Sequence, residues 1–213
     1  MPFHKHFVHL HAKVQKKYKS NNKIMAKVYE FIANGSEEIE ALTVVDVLRR
    51  AGVDTVTVSI TGSKEVTMSH GVKIFCDTTI EDADLSDADM LLLPGGLPGA
   101  TNLNEHEGVR RAMLQQWEKG GKVGAICAAP LVLGSLGILR GKKATCYPGF
   151  EDQMTGAEYT ADVFTVDGNV ITGCGPAATL PYSYAILEML GYGNEAVQLR
   201  EGMMYNKLLT LNS

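Results

Sequence analysis

The sequence predicts an α/β domain: a mostly parallel sheet with helices on both faces and a small appended β-hairpin. Two observations point there. From Met25 onward, strand-like apolar runs alternate with helical segments, the signature of a parallel sheet covered on both sides. The first helix also carries charges at both ends that suit the helix dipole.

Lys27 to Ala33 reads as the first strand. Asn34-Gly35-Ser36 turns into a helix reaching about Ala51, with Glu37 and Glu38 in its first turn, Arg49 and Arg50 in its last, and Gly52 as the stop. Val53 to Ile60 is the second strand. Val66 to Met68 and Val72 to Phe75, around a turn at His70-Gly71, form the hairpin. Ala88 to Leu93 is a buried strand ending in Pro94-Gly95-Gly96, followed by a loop to Asn104 and a helix over Glu105 to Lys119. Lys122 to Ile126 is the next strand. A helix over Ala128 to Leu139 follows it, and Pro130 is tolerated in its first turn because that amide has no partner there. Lys143 to Cys146, Val163 to Val166 and Val170 to Thr172 are later strands; Ala177 to Leu190 and Asn194 to Leu209 are closing helices.

At 213 residues, 45% hydrophobic and 21% charged, the chain can bury a full core, and residues 25–213 read as one domain. The net charge of -4 hides an asymmetry. Residues 1–24 hold six lysines and no acid, which leaves -10 for the rest and argues against a nucleic-acid partner. The leader also carries His4, His6, His9 and His11, has no continuous apolar stretch, and reads as a disordered basic extension. It has the features of neither a signal peptide nor a membrane span, and its histidines are read as a solvated tail rather than a metal site. Four cysteines, Cys76, Cys127, Cys146 and Cys174, lie far apart with no C-x-x-C spacing, which disfavours zinc and a dithiol centre; reduced thiols in a cytoplasm are the default. Cys76, Cys146 and Cys174 read as small buried packing residues.

Cys127 stands apart. In Gly124-Ala-Ile-Cys127-Ala-Ala-Pro130 it sits at a strand-to-helix corner, where unpaired amides and the positive end of the dipole favour the nucleophilic thiolate. Ligands of such sheets bind beyond the carboxyl ends of the strands. There the topology gathers Cys127, Gly95-Gly96, and the glutamates of the first helix. Gly95-Gly96 reads either as a plain strand-ending turn or, beside a nucleophile, as amides that with that of Ala128 hold an oxyanion, and the nearby Cys127 favours the second. Glu40 has two readings: a solvated residue on a polar stripe with Thr43 and Arg50, or a buried carboxyl kept protonated beside the sulfur. His70 and His106 are the only histidines after the leader, and neither has an obvious route to Cys127 as a base.

Together, Asn34-Gly-Ser-Glu-Glu-Ile-Glu40, Leu93-Pro-Gly-Gly96, Ala125-Ile-Cys-Ala-Ala-Pro130 and Thr172-Gly-Cys-Gly-Pro176 resemble the ThiJ/PfpI superfamily, with its class I glutamine amidotransferase-like fold, and within it the DJ-one and YajL-like branch of small stress proteins. The resemblance covers nearly everything from Met25 to about Leu208. It implies a flavodoxin-like three-layer sandwich, a homodimer, Cys127 as the reactive residue, Glu40 as its protonated partner, and Gly95, Gly96 and Ala128 as amide donors. It also implies that the first helix helps form the dimer, so that Arg49 or Arg50 approaches the neighbouring subunit's site. Two departures stand out: Tyr147 replaces a histidine of the animal members, and Ala128 follows the cysteine where the peptidase branch has histidine. Peptidase and amidotransferase readings rank low for that reason. The leading expectation is a cofactor-independent enzyme acting on small 2-oxoaldehydes or early glycation adducts, with no metal and no flavin. The alternative is an oxidative-stress sensor or redox-regulated chaperone using the same cysteine.

Overall fold

In the computed structural model, which describes residues 25–210, eleven strands and seven α-helices follow one another along the chain. The expected leader at 1–24 lies outside the described residues. The strands are β1 (Lys27–Ile32), β2 (Asp54–Ser59), β3 (Glu65–Thr67), β4 (Lys73–Phe75), β5 (Thr78–Thr79), β6 (Met90–Leu93), β7 (Lys122–Ile126), β8 (Lys143–Ala144), β9 (Glu158–Tyr159), β10 (Phe164–Asp167) and β11 (Val170–Gly173). The helices are α1 (Glu38–Arg50), α2 (Gly99–Glu105), α3 (Glu107–Glu118), α4 (Pro130–Ser135), α5 (Thr179–Met189), α6 (Gly193–Gly202) and α7 (Tyr205–Leu209).

Seven strands form one sheet in the order β10-β11-β7-β6-β1-β2-β5, parallel throughout except for β10 against β11. Side chains alternate across it as strand geometry requires. Tyr29, Phe31, Leu91, Leu93, Val123 and Ala125 pack with Leu103, Met113 and Val132 from α2, α3 and α4. Val28, Met90, Leu92, Ile126 and Ile171 pack with Val44, Leu48, Tyr182 and Ala196 from α1, α5 and α6. Two cores on opposite faces make the expected three-layer sandwich. The β3–β4 hairpin is a separate antiparallel pair. It is held to the turn after β1, where Gly35 N–H donates to Thr67 O at 2.9 Å, Thr67 N–H to Asn34 Oδ1 at 2.9 Å, and Ser69 N–H to Ser36 O at 2.8 Å.

The observed boundaries depart from the expected ones for local reasons. The loop before Glu105 is largely the helix α2; His106 then leaves helical geometry with ψ 108° and caps α3 by accepting the Val109 N–H on Nδ1 at 3.3 Å. The helix after Cys127 covers only Pro130–Ser135, because Ser135 Oγ turns back to donate to Val132 O and Gly137 adopts φ +74°. Lys143–Ala144 pairs with β9 outside the main sheet, since the Thr145 N–H donates to the Thr172 hydroxyl at 2.8 Å rather than to a ladder. The last helix is broken in two at Met204, which sits at φ +62°.

Candidate active site

Two loops meet above the carboxyl ends of β1 and β6, and the closeness of their meeting creates the site. Glu37 N–H donates to Gly95 O at 3.0 Å, and Gly99 N–H to Gly35 O at 3.2 Å. A Cβ on Gly96 would lie 2.5 Å from the Glu37 nitrogen, and one on Gly95 would lie 2.6 Å from Cys127 Cβ and 2.7 Å from Glu40 Oε2. Both glycines are therefore required by proximity, and Gly96 also by its φ of +83°. Through this contact α1 delivers Glu40 beneath the β6 loop and beside the end of β7.

Cys127 occupies the corner expected of it, at φ +63°, a conformation rare for a residue with a side chain and characteristic of strained functional turns. Its backbone is fixed on both sides: its N–H donates to Gly173 O at 2.8 Å, and its carbonyl accepts the Tyr147 N–H at 2.8 Å. The side chain is 8% exposed. Burial pushes the thiol up, the Glu40 charge and hydrogen bond add to this, and N–H groups of Gly96 and Ala128 on the sulfur pull it down. Burial thus opposes the thiolate that the amides at the corner favour, and the helix beyond it, Pro130–Ser135, starts three residues after the cysteine.

Glu40 is fully buried, which overturns the solvated-stripe reading. Glu40 alone leaves the stripe: Thr43 is half-buried and Arg50 exposed, while the carboxylate is buried with Ala41, Val44, Val47 and Leu48. Its N–H donates to Glu37 Oε2 at 2.8 Å, the cap of the helix, and its Oε2 accepts the Gly95 N–H at 2.8 Å. Oε1 is buried with no conventional partner, and the group that approaches the carboxyl is the Cys127 thiol. Burial raises the Glu40 pKa to about 7; the Glu37 charge adds to this, while the thiol and the Gly95 N–H oppose it. The two acids titrate as a unit, and a proton retained on Glu40 removes the charge that opposes a thiolate at Cys127. The expected roles of the three amides separate here: Gly96 and Ala128 face the sulfur, whereas Gly95 holds Glu40.

The remaining expected residues are placed as follows. Tyr147 is at the rim, 47% exposed, its ring beside Gly175. Arg49 and Arg50 lie at the far end of α1, Arg49 on Asp77 at 2.6 Å and on Thr55 O, Arg50 on Asp46 at 2.6 Å. Cys76 and Cys146 are buried, and burial raises each thiol to about 11. Cys174 differs from expectation: it is half-buried rather than packed away. His70 is engaged by Glu38, whose carboxyl burial would raise but hydrogen bonds from His70 and Ser69 hold down at about 2. Glu37, Glu38 and His70 are, among the described residues, the one group of potential ligand atoms within 4.8 Å of one another. Their oxygens already serve the Glu40 amide, Ser69 and His70, which makes them a hydrogen-bond cluster. Sequence reasoning missed Glu30 on β1, a fully buried carboxyl whose Oε2 has no partner and whose pKa burial pushes well up. Its signal was a single acid inside an apolar strand.

A sequence model described as the DJ-1/PfpI family matches residues 26–189. Protein DJ-1 homolog B of Arabidopsis thaliana is 36% identical over 175 residues, covering 81% of this chain and 40% of the relative, so the chain spans about two fifths of that protein. The glutathione-independent glyoxalase DJR-1.2 of Caenorhabditis elegans is 32% identical over 157 residues, covering 73% of this chain and 83% of the relative. Among solved structures, Drosophila melanogaster DJ-1beta superposes with a TM-score of 0.82 at 32% identity, covering 85% of this chain and 98% of that one.

Proposed function

Since the chain belongs to the DJ-1/PfpI family, we propose that Cys127 and Glu40 form the working pair of a cofactor-independent enzyme acting on small 2-oxoaldehydes or early glycation adducts. The observation that carries this reading is the buried carboxyl, with a pKa raised to about 7, set against a buried thiol that receives two backbone N–H groups. In the proposed reaction the Cys127 sulfur adds to the aldehyde carbon, and Glu40 gives a proton to the forming alkoxide. The Glu40 carboxylate then takes the proton from the sulfur-bearing carbon and delivers it to the adjacent carbonyl carbon, while the hydroxyl proton passes from the first oxygen to the second, which leaves a thioester. Water releases the 2-hydroxy acid and restores the thiol, so the net change is addition of one water. The name of the Caenorhabditis elegans relative supports the same chemistry. Tyr147 at the rim is suited to contact a bound substrate rather than to act as base, and among the described residues a peptidase reading lacks a histidine at the sulfur: His70 and His106 are engaged by Glu38 and by the Val109 N–H.

The test is conversion of methylglyoxal to lactate in phosphate buffer by the wild type, Cys127→Ser and Glu40→Gln. Turnover lost in both variants supports the pair, and turnover surviving Cys127→Ser rejects it. A second reading, an oxidative-stress sensor or redox-regulated chaperone, is favoured by the same two N–H groups, which suit an oxidised sulfur as well as an oxyanion. It requires Cys127 to be oxidised by peroxide more readily than Cys76 or Cys146. We further propose a cytoplasmic homodimer. No helix among the described residues is long and apolar enough to cross a membrane. A groove of about 590 Å³ lined by Ile39, Leu42, Leu180 and Met203 offers a second copy an apolar surface along α1. Arg49 and Arg50 would have to leave Asp77 and Asp46 to reach a neighbouring site.

A further inference from the structure

The ends of β7 and β11 bring a second cysteine close to the first. The two strands are parallel and in register as far as Ile126 opposite Gly173, and Cys127 and Cys174 each follow directly on one of these paired residues. The Cys127 N–H bonded to Gly173 O keeps the two chains together at that point. Neighbouring strands lie about 4.8 Å apart, and a disulfide spans Cα atoms roughly 4.4–6.8 Å apart. Cys174 is half-buried, whereas Cys76 and Cys146 are fully buried. It lies beside Gly175, against which the Tyr147 ring rests at the rim. Beyond burial, the Glu40 charge raises both the Cys127 and the Cys174 thiols, and Cys174 in turn raises that of Cys146.

We propose that Cys174 is the resolving thiol of this site, converting a peroxide-oxidised Cys127 into an intramolecular Cys127–Cys174 disulfide. The inference rests on Cys127 being the reactive sulfur of the preceding section. The Cys127 thiolate attacks one oxygen of a hydroperoxide; an S–O bond forms, the O–O bond breaks, and the other oxygen leaves as water (or as an alcohol from an organic peroxide) after taking a proton. The Cys174 thiolate then attacks the sulfenic sulfur; the S–S bond forms, the S–O bond breaks, and the hydroxyl leaves as water. Two thiols and one hydroperoxide are consumed, and two cysteines are oxidised to one cystine. Without the second thiol, a further peroxide would carry the sulfenic acid to the sulfinic acid, which thiols do not reverse. Cys174 thereby turns a terminal oxidation into a reversible one.

The experiment uses the reduced full chain with stoichiometric hydrogen peroxide, followed by alkylation and peptide mass spectrometry. Because no Lys or Arg lies between Ala144 and Leu199, trypsin leaves Cys146 and Cys174 on one peptide; a second protease cutting after Glu151 and Glu158 separates them. The expected result is a Cys127–Cys174 cross-link that dithiothreitol removes. In Cys174→Ser the cross-link is lost, the sulfinate at Cys127 rises several-fold, and dithiothreitol no longer restores the thiol; Cys146→Ser leaves the wild-type pattern. Equal sulfinate formation in wild type and Cys174→Ser, or a Cys146–Cys174 link, overturns the proposal. A Cys127 that alkylates no faster than Cys76 in the reduced protein, before any peroxide, overturns it at its premise, and that outcome is read separately from the cross-link.

Discussion

Replacing Gly95 by alanine tests the site at its narrowest point. The added Cβ would lie 2.6 Å from Cys127 Cβ, 2.7 Å from Glu40 Oε2 and 2.9 Å from Ile126 O. Carbon atoms in good contact are about 3.5–4.0 Å apart, so the new methyl is about 1 Å too close to the Cys127 side chain. None of its three neighbours is the free end of a long exposed chain: the first two belong to buried residues and the third is a backbone atom in the sheet. Overpacking of this kind costs about 1–3 kcal/mol, and each kcal/mol lowers the melting temperature of a domain this size by about 2–4 °C. Relief has to separate Glu40 from Cys127 or lift the β6 loop, which removes the Gly95 N–H from Glu40 Oε2. A displacement of about 1 Å at reacting groups can reduce turnover by about 10²-fold. Calorimetry, Cys127 alkylation and lactate formation measure the two effects. Gly193→Ala is the control, since a Cβ at the start of α6 meets nothing within 4 Å. Wild-type melting and wild-type turnover in Gly95→Ala would refute the reasoning.

Four further outcomes are expected. Because the folded pKa of Glu40 is about 7, above its unfolded value of 4.5, the native state holds a proton the unfolded chain has released; stability falls as pH rises from 4.5 to about 7, by about 3 kcal/mol at most, and Glu40→Gln flattens that slope in denaturant titrations. Glu30 acts with the same sign, its pKa raised by burial and then by the Glu40 charge, so the stability of Glu30→Gln relative to wild type should improve steadily as pH rises above the usual carboxylate range. Glu38 acts oppositely: its pKa is depressed to about 2, its contribution is present above 4.5 and lost as pH falls towards 2, and Glu38→Gln should therefore destabilise at neutral pH with the difference closing in acid. Met204→Gly should be neutral or stabilising by up to about 1 kcal/mol, because it relieves φ +62° at a residue 64% exposed, whereas Lys207→Gly within α7 should cost about 1 kcal/mol; thermal melts distinguish them.

Much of the architecture was legible because it depends on periodicity. Lys27–Ile32 and Lys122–Ile126 are buried runs between turn signals, and α1 announces both its ends through charge. The corner at Cys127 and the Gly95-Gly96 turn followed from strand ends in an open sheet. What was not legible depends on approach between distant segments. Glu40 shares its helix with Thr43 and Arg50, and the wheel assigns it to water; only the Gly35–Gly99 and Glu37–Gly95 contacts, which close two loops over it, make it buried. Cys174 looked like a packing residue because the strand whose end it adjoins, Lys122–Ile126, is about 50 positions earlier in the chain. Helix ends at Ser135 and Met204 were set by a hydroxyl turning back on its own helix and by a left-handed residue, and neither leaves a mark on hydrophobic pattern.

Cys127 is held in place by its main chain. Gly173 O receives the Cys127 amide and the Tyr147 amide meets the Cys127 carbonyl, so both restraints come from peptide groups that every amino acid except proline supplies. The side chains at the rim, Tyr147 and Cys174, are therefore free to change without releasing the sulfur. A lineage built on this scaffold can exchange the side chains at positions 147 and 174 while the Cys127 sulfur stays where it is, and a designer can vary those two positions jointly around a fixed centre.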